Sequence, residues 1–392
     1  MENLENLNKT EQLVQSANII KEKSLALLKK HNVHEEVIKK QIEINKNVDN
    51  FVSSLGNIDD VSTSKFYGYL VKLCAKFQNA HLFINSKDEK EKRRYLNQHL
   101  LYLNRKVYAI CKDKFFEVDK IGGQPVLKLC KDMSECISYE TNEWLSVQLN
   151  KSLNSTTLYN VLDVDYSTIE LKNGEKIHTD TSSTFFDYYT YFPPYSDMND
   201  KPYDFIVIEP NIIKINYKDC SKEHKADFDK FLSEFKDKVE KENFSNYILD
   251  IRGNPGGDSE IIKPLLKFIK DKKMKGVTLT DNRVFSSGTF AAYYAKEYLN
   301  TTLIGQPLGQ GNARFGQSSG KIILSEELLI SYTEKYFDFS NVFNTPGVIK
   351  PDIEVPLSIE DMENRKDLSL TTAIRYLANN HIDQKETKLD RN

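Results

Sequence analysis

The sequence has no run of apolar residues approaching the ~18 that a bilayer-spanning helix needs, so no transmembrane helix is expected. Its first residues, MENLENLNKTEQ, lack the basic segment and apolar stretch of a secretory signal. A cytoplasmic protein is the resulting expectation. Cysteine is scarce: Cys74, Cys111, Cys130, Cys136 and Cys220 are odd in number, irregularly spaced and never CxxC. That pattern argues against a disulfide framework and against a zinc site, leaving reduced, buried thiols. Charge of one sign is not in excess either. The 54 Lys and Arg residues nearly balance 57 Asp and Glu residues, for a net charge of −3. No electrostatic argument for a nucleic-acid partner follows, because a phosphate binder needs a basic face. Lysine runs such as KDKKMKGV mix with acids and read as solvated helix ends. Internal repeats, low-complexity tracts, cofactor motifs and metal-ligand spacings are all missing, so neither metal nor cofactor is expected.

What is present is enough apolar residue, 39% of 392, for a sizeable core in two or three units. Residues 1–98 read as an N-terminal helical region. Leu13, Ala17, Ile20, Leu25 and Leu28 share one helical face, with Thr10 as a candidate cap, and a second pattern runs to Gly56. The segment SKFYGYLVKLCAKFQNAH predicts a third helix ending near His81. Residues 99–200 read as a small, β-rich mixed segment. HLLYLNRKVYAICKDKFFEVDKIGGQPVLKL alternates like short strands, MSECISYETNEWLSVQLNKSL reads as a helix, and TIELKNGEKIHTDT has the Asn-Gly turn of a hairpin. FPPYSDMNDKPYD reads as a loop or boundary.

In residues 201–392 strand-like and helical patterns alternate: FIVIEPNIIKINYKD, KADFDKFLSEFKDKVEKE, YILDI, EIIKPLLKFIKDKK, VTLTD, SGTFAAYYAKEYL and TTLIG. Such alternation predicts an α/β unit on a mostly parallel sheet, whose ligands sit beyond the carboxyl ends of the strands. Two features fall at that edge. The first is DIRGNPGGDSE, residues 250–260, directly after YILDI. Gly256 and Gly257 let backbone N–H groups approach a ligand closely, and donors placed where negative charge develops form an oxyanion hole. Asp250 and Arg252 are expected to brace the loop. The segment lacks the Lys-Ser/Thr ending of a Walker loop. The second is DNRVFSSGTFAAYYAKEYL, which puts Ser286 and Ser287 at a strand-to-helix junction. There a hydroxyl meets the positive end of a helix dipole, although a serine in that place can also simply cap the helix.

Taken together, DIRGNPGG and FSSG, separated by one helix and one strand, resemble the C-terminal processing (tail-specific) serine peptidases. GQPLGQGNARFG at 305–316 and GVIKPDIEV at 347–355 match later elements of that family. QNAHLF is similar to a segment of the branch without a PDZ domain, a branch similar to the tricorn core protease, and DKIGGQPV resembles the family's I-N-G-x-P-I turn. The resemblance spans roughly residues 60–380. It implies a crotonase/ClpP-like catalytic domain acting on a peptide or protein substrate. It also implies Ser286 as nucleophile, and an oxyanion hole from the Ser287 amide with a Gly256 or Gly257 amide. The lysine expected 25 residues after the serine is replaced by Gly311, and neither Gln310, Asn312 nor Arg314 can accept a proton at neutral pH. The resemblance to the tricorn-like branch implies His81 as the base instead. It also puts Asn344 where that branch has an acid, Asn79 where Asp is common, and Ala80 where it has a serine. A non-catalytic peptide-binding relative and an acyl-CoA enzyme of the crotonase type are the alternatives. Oligomeric state is not legible.

Overall fold

The computed structural model describes residues 1–389, apart from 32, 89–92, 185–187, 195–200 and 345–346. The middle of the expected loop FPPYSDMNDKPYD therefore lies outside the described residues. The chain divides into two compact units, residues 1–188 with 313–338, and residues 189–312 with 339–392. Strand pairing joins the distant parts of the first unit. Gly320–Ser325 and Leu328–Tyr332 lie between Glu2–Asn3 and Phe83–Ser86 in one four-stranded sheet, which draws residues 313–338 into the first unit.

In the first unit, helix Lys9–Lys30 starts at a capping box, with Asn8 rather than Thr10 as its cap. Thr10 instead ties its hydroxyl to Asp59 at 2.7 Å. Leu13, Ala17, Ile20 and Leu28 are buried on one face, and the first three share a core with Val48, Phe66, Leu70 and Leu73 from helices Glu35–Leu55 and Thr63–Lys76. The third helix stops at Lys76, short of His81, because the chain turns at Phe77–Leu82 to enter strand Phe83–Ser86. A second core lies under an antiparallel sheet built from Leu100–Leu103, Lys106–Cys111, Lys114–Ile121, Thr168–Leu171 and Lys176–His178. Two expectations shift here. PVLKL starts helix Val126–Ser134 instead of a strand, and residues 135–141 interrupt the predicted long helix before Asn142–Leu153. The burial of Val126, Leu129, Cys130 and Met133 at helical spacing decides the first case.

The second unit has one six-stranded sheet in the order Tyr203–Glu209, Ile212–Tyr217, Asn246–Asp250, Lys275–Thr280, Thr302–Gly305, Ile353–Glu354. The first pair is antiparallel and the remaining pairs are parallel. Helix Lys225–Glu242 buries Phe228, Phe231, Leu232, Phe235 and Val239, and helix Lys263–Asp271 buries Leu265, Leu266 and Ile269. Helices Ser287–Leu299 and Leu368–Leu389 follow later in the chain. Asn246–Asp250 is buried at all five positions, as expected for a central strand covered on both faces. The parallel strands end together, so the loops after Asp250, Thr280 and Gly305 leave from the same edge. No helix among the described residues is long and apolar enough to cross a membrane.

Candidate active site

The loop after Asp250 is fixed by a buried ion network. Arg252 Nε donates to Asp250 Oδ1 at 2.8 Å and Arg252 Nη2 to Asp250 Oδ2 at 2.7 Å. Its Nη1 and Nη2 reach the two oxygens of Asp367, both at 2.8 Å. Lys214 Nζ lies 3.3 Å from Asp250 Oδ2. Burial alone would raise the Asp250 carboxyl, but Arg252 and Lys214 outweigh it and hold that carboxyl well below the ordinary range. Asp367 also accepts the Leu370 N–H at 3.0 Å, so the network joins the loop to helix Leu368–Leu389. A second clamp joins the loops after two neighbouring strands, because Asp281 Oδ1 accepts the N–H groups of Gly253 and Arg283, both at 3.0 Å.

Asn254, fully buried, latches the glycines. Its Oδ1 accepts the Gly256 N–H at 2.9 Å, its Nδ2 donates to the Tyr217 carbonyl at 3.0 Å, and its carbonyl accepts the Phe285 N–H at 3.0 Å. Gly256 (φ 107°) and Gly257 (φ 137°) occupy backbone space that L side chains rarely enter. A Cβ on Gly256 would lie 2.6 Å from Ser286 Cβ and 2.8 Å from Ser287 N, and one on Gly257 would lie 2.2 Å from the Cys220 carbonyl oxygen. The glycines thus let two backbones pack directly against each other. Gly256→Ala is expected to cost about 1–3 kcal/mol from backbone strain alone, with the clash against Ser286 adding to it. Chemical denaturation measures the loss, and a midpoint equal to wild type would contradict the contact.

Ser286 sits at φ 51°, ψ −120°, at the cap position of helix Ser287–Leu299, and its side chain makes no capping hydrogen bond. A non-glycine residue with positive φ is uncommon and is held there by its surroundings. Here the restraint is Gln310, fully buried, whose Oε1 accepts the Ser286 N–H at 2.6 Å. Ser287 Oγ donates to the Gly257 carbonyl at 2.6 Å, which pins the helix start to the glycine loop. The Gly256 amide is occupied by Asn254. Among the described residues, neither the Gly257 nor the Ser287 N–H has a hydrogen-bond partner. A half-buried serine at the start of a helix therefore lies against the glycine loop.

His81 belongs to the first unit and is 7% exposed. Burial, reinforced by the charge of Arg314 and opposed by a ring hydrogen bond to the Phe315 backbone, pushes its pKa down to about 3. The imidazole is therefore neutral across the physiological range and able to accept a proton. Asn344, exposed, belongs to the second unit.

The second unit thus brings together Ser286, Ser287, Gly256, Gly257, Asp250 and Arg252. Sequence reasoning missed the roles of Asn254, Asp281, Gln310 and Asp367. For Asn254 a signal was present, as the asparagine of the D-x-R-x-N-x-G-G pattern. The other three act across distances of 24 to 115 residues that no local pattern marks.

Residues 211–276 match Peptidase family S41. The matched span runs from strand Ile212–Tyr217 through the glycine loop to the start of strand Lys275–Thr280, and so contains Asp250, Arg252, Asn254, Gly256 and Gly257. No curated protein matches the chain. Among solved structures, a mutant of CPAF is similar with 11% identity and a TM-score of 0.55, covering 91% of this chain and 95% of that one. Mature CPAF complexed with lactacystin is similar with 11% identity and a TM-score of 0.54, covering 96% and 99%. The photosystem II D1 C-terminal processing protease covers 91% and 96% at 10% identity, with a TM-score of 0.44. The two CPAF structures share this chain's mixed α/β fold. The matched segment, with the glycine loop it contains, is thus similar to the S41 peptidases.

Proposed function

We propose that the protein is a serine peptidase whose nucleophile is Ser286. The observation that carries this reading is the backbone of Ser286. A positive φ at a turn into a helix, with the side chain spared from capping, is the conformation that presents a hydroxyl to a substrate. In the proposed reaction Ser286 Oγ attacks the scissile carbonyl carbon and its proton passes to His81. The carbonyl oxygen becomes an oxyanion that accepts hydrogen bonds from the Gly257 and Ser287 N–H groups. Gly256 supports this hole by contact rather than by donating, since its N–H is already bound. His81 then protonates the leaving amine, and water releases the acyl group by the same steps. Asp250 and Arg252 hold the loop that carries the hole. His81 is taken as the base through the resemblance to the tricorn-like branch, with the Phe315 backbone, rather than Asn344, as the partner of its ring N–H. The finer fold assignment, a crotonase/ClpP-like catalytic unit, belongs to the same proposal, as does a substrate bound in extended form along a sheet edge.

A fluorophosphonate probe tests the reading. Covalent labelling is expected at Ser286, located by mass spectrometry of the peptide, and His81→Ala is expected to slow it by at least ~100-fold, the usual worth of a positioned base. Because the His81 pKa lies near 3, the labelling rate should stay level from about pH 7.5 to pH 5. A base with the ordinary histidine value would lose most of its rate over that interval. Labelling that falls along a curve centred near pH 6.5, or that is unchanged in His81→Ala, would remove His81 from the mechanism.

A further inference from the structure

The turn that carries His81 is clamped from several parts of the first unit. Asn79 Oδ1 accepts the His81 N–H at 3.0 Å, and Asn79 Nδ2 donates to Thr333 Oγ1 at 3.1 Å. Ser318 Oγ donates to the His81 carbonyl. Between these contacts, Glu140 Oε1 accepts the N–H of Ala80, the residue next to His81, at 3.3 Å. The other Glu140 oxygen is buried. Glu140 reaches this place because residues 135–141 break the helical run between Val126–Ser134 and Asn142–Leu153. The same carboxylate attracts the guanidinium of Arg314, which is 2% exposed on strand Ala313–Gly316. Arg314 in turn acts on His81, opposing a positive charge on the imidazole. Three groups from distant parts of the sequence are therefore coupled: a base candidate, a buried cation that resists its protonation, and a carboxylate that touches the turn of the one and offsets the charge of the other.

We propose that Glu140 is a positioning residue for His81: one of its oxygens fixes the turn, and its charge offsets Arg314 so that the imidazole can take the serine proton. This rests on the reading of His81 as the base. An acid in this role does not come from the 344 position, where this chain has an amide. It comes from a loop between two helices. Charge compensation within a buried cluster shifts a proton equilibrium by about one to two pH units, so its loss should appear as a rate effect of tenfold or more.

The experiment uses the full chain and the rate of fluorophosphonate labelling at pH 7. Glu140→Gln keeps an acceptor for the Ala80 N–H and removes the charge, and labelling at least tenfold slower is expected. Glu140→Asp should recover part of the rate. The double variant Glu140→Gln, Arg314→Gln removes both charges and should label faster than Glu140→Gln alone, a rescue that a merely structural role would not give. Wild-type labelling in Glu140→Gln, or a double variant no faster than the single one, overturns the proposal. Should Glu140→Gln not fold, Arg314→Gln alone reads the same coupling. Threefold or faster labelling than wild type supports the proposal, and slower labelling overturns it. His81→Ala separates the two levels. If it labels like wild type, the base reading itself has failed; if it is slow while Glu140→Gln is not, only the role of Glu140 has.

Discussion

Ser286→Ala is expected to abolish fluorophosphonate labelling and to lower peptide hydrolysis by at least ~10³-fold, while leaving the melting temperature nearly unchanged. The rate effect follows from removal of the attacking atom, since residual turnover then comes only from binding and oxyanion stabilisation. The stability statement is the more discriminating half. Were Ser286 only a helix cap, its replacement by alanine would cost about 1 kcal/mol. Its side chain makes no capping bond, and its N–H bond to Gln310 is a backbone contact that alanine keeps. Ser287 makes the instructive contrast. Its hydroxyl is committed to the Gly257 carbonyl, so Ser287→Ala should destabilise the helix start without removing the nucleophile. Hydrolysis surviving in Ser286→Ala, or a loss of stability as large as that of a cap deletion, would contradict the assignment.

The position of this serine was legible because its signals are local. A strand pattern, a turn and a helix pattern meet at FSSG, and the glycine pair after YILDI announces a close backbone approach that the structure shows to be directed at Ser286 itself. What surrounds the serine was less legible. Gln310, Asp281 and Asp367 earn no signal from periodicity, since each is a polar residue in a loop whose role exists only once distant segments meet. The same holds for Glu140. The predicted helix over MSECISYETNEWLSVQLNKSL continued through the region where the chain in fact breaks and turns a carboxylate toward the His81 turn.

In the fold, the alternation of strand and helix patterns after residue 201 was readable because central strands and amphipathic helices have different periods. Asn246–Asp250 and Lys225–Glu242 are cases where period and burial agree. Residues 313–338 are the opposite case. Strands Gly320–Ser325 and Leu328–Tyr332 pair with Glu2–Asn3 and Phe83–Ser86, hundreds of positions upstream, and strand partners are chosen by packing that a single stretch of sequence does not encode.

Arg252→Met should be the most destabilising single substitution in the second unit. It leaves two carboxylates, Asp250 at 2% and Asp367 at 15% side-chain exposure, without the guanidinium that binds both, and Lys214 remains as a partner only for Asp250. Removing one member of such a buried set costs about 3–5 kcal/mol, or on the order of 10 °C in melting temperature for a unit of this size. The pH dependence provides the check. In the wild type the Asp250 carboxyl is held well below its unfolded value, so its contribution to stability is present above about pH 4 and is lost as pH falls below that. In Arg252→Met the buried carboxylate is poorly compensated and gains from protonation. The stability gap between the two proteins should therefore be widest near neutrality and should narrow as pH falls below about 4. A gap that is constant with pH would mean that Arg252 acts through packing alone. The network would then have to be understood as a spacer under the glycine loop rather than as an electrostatic brace for it.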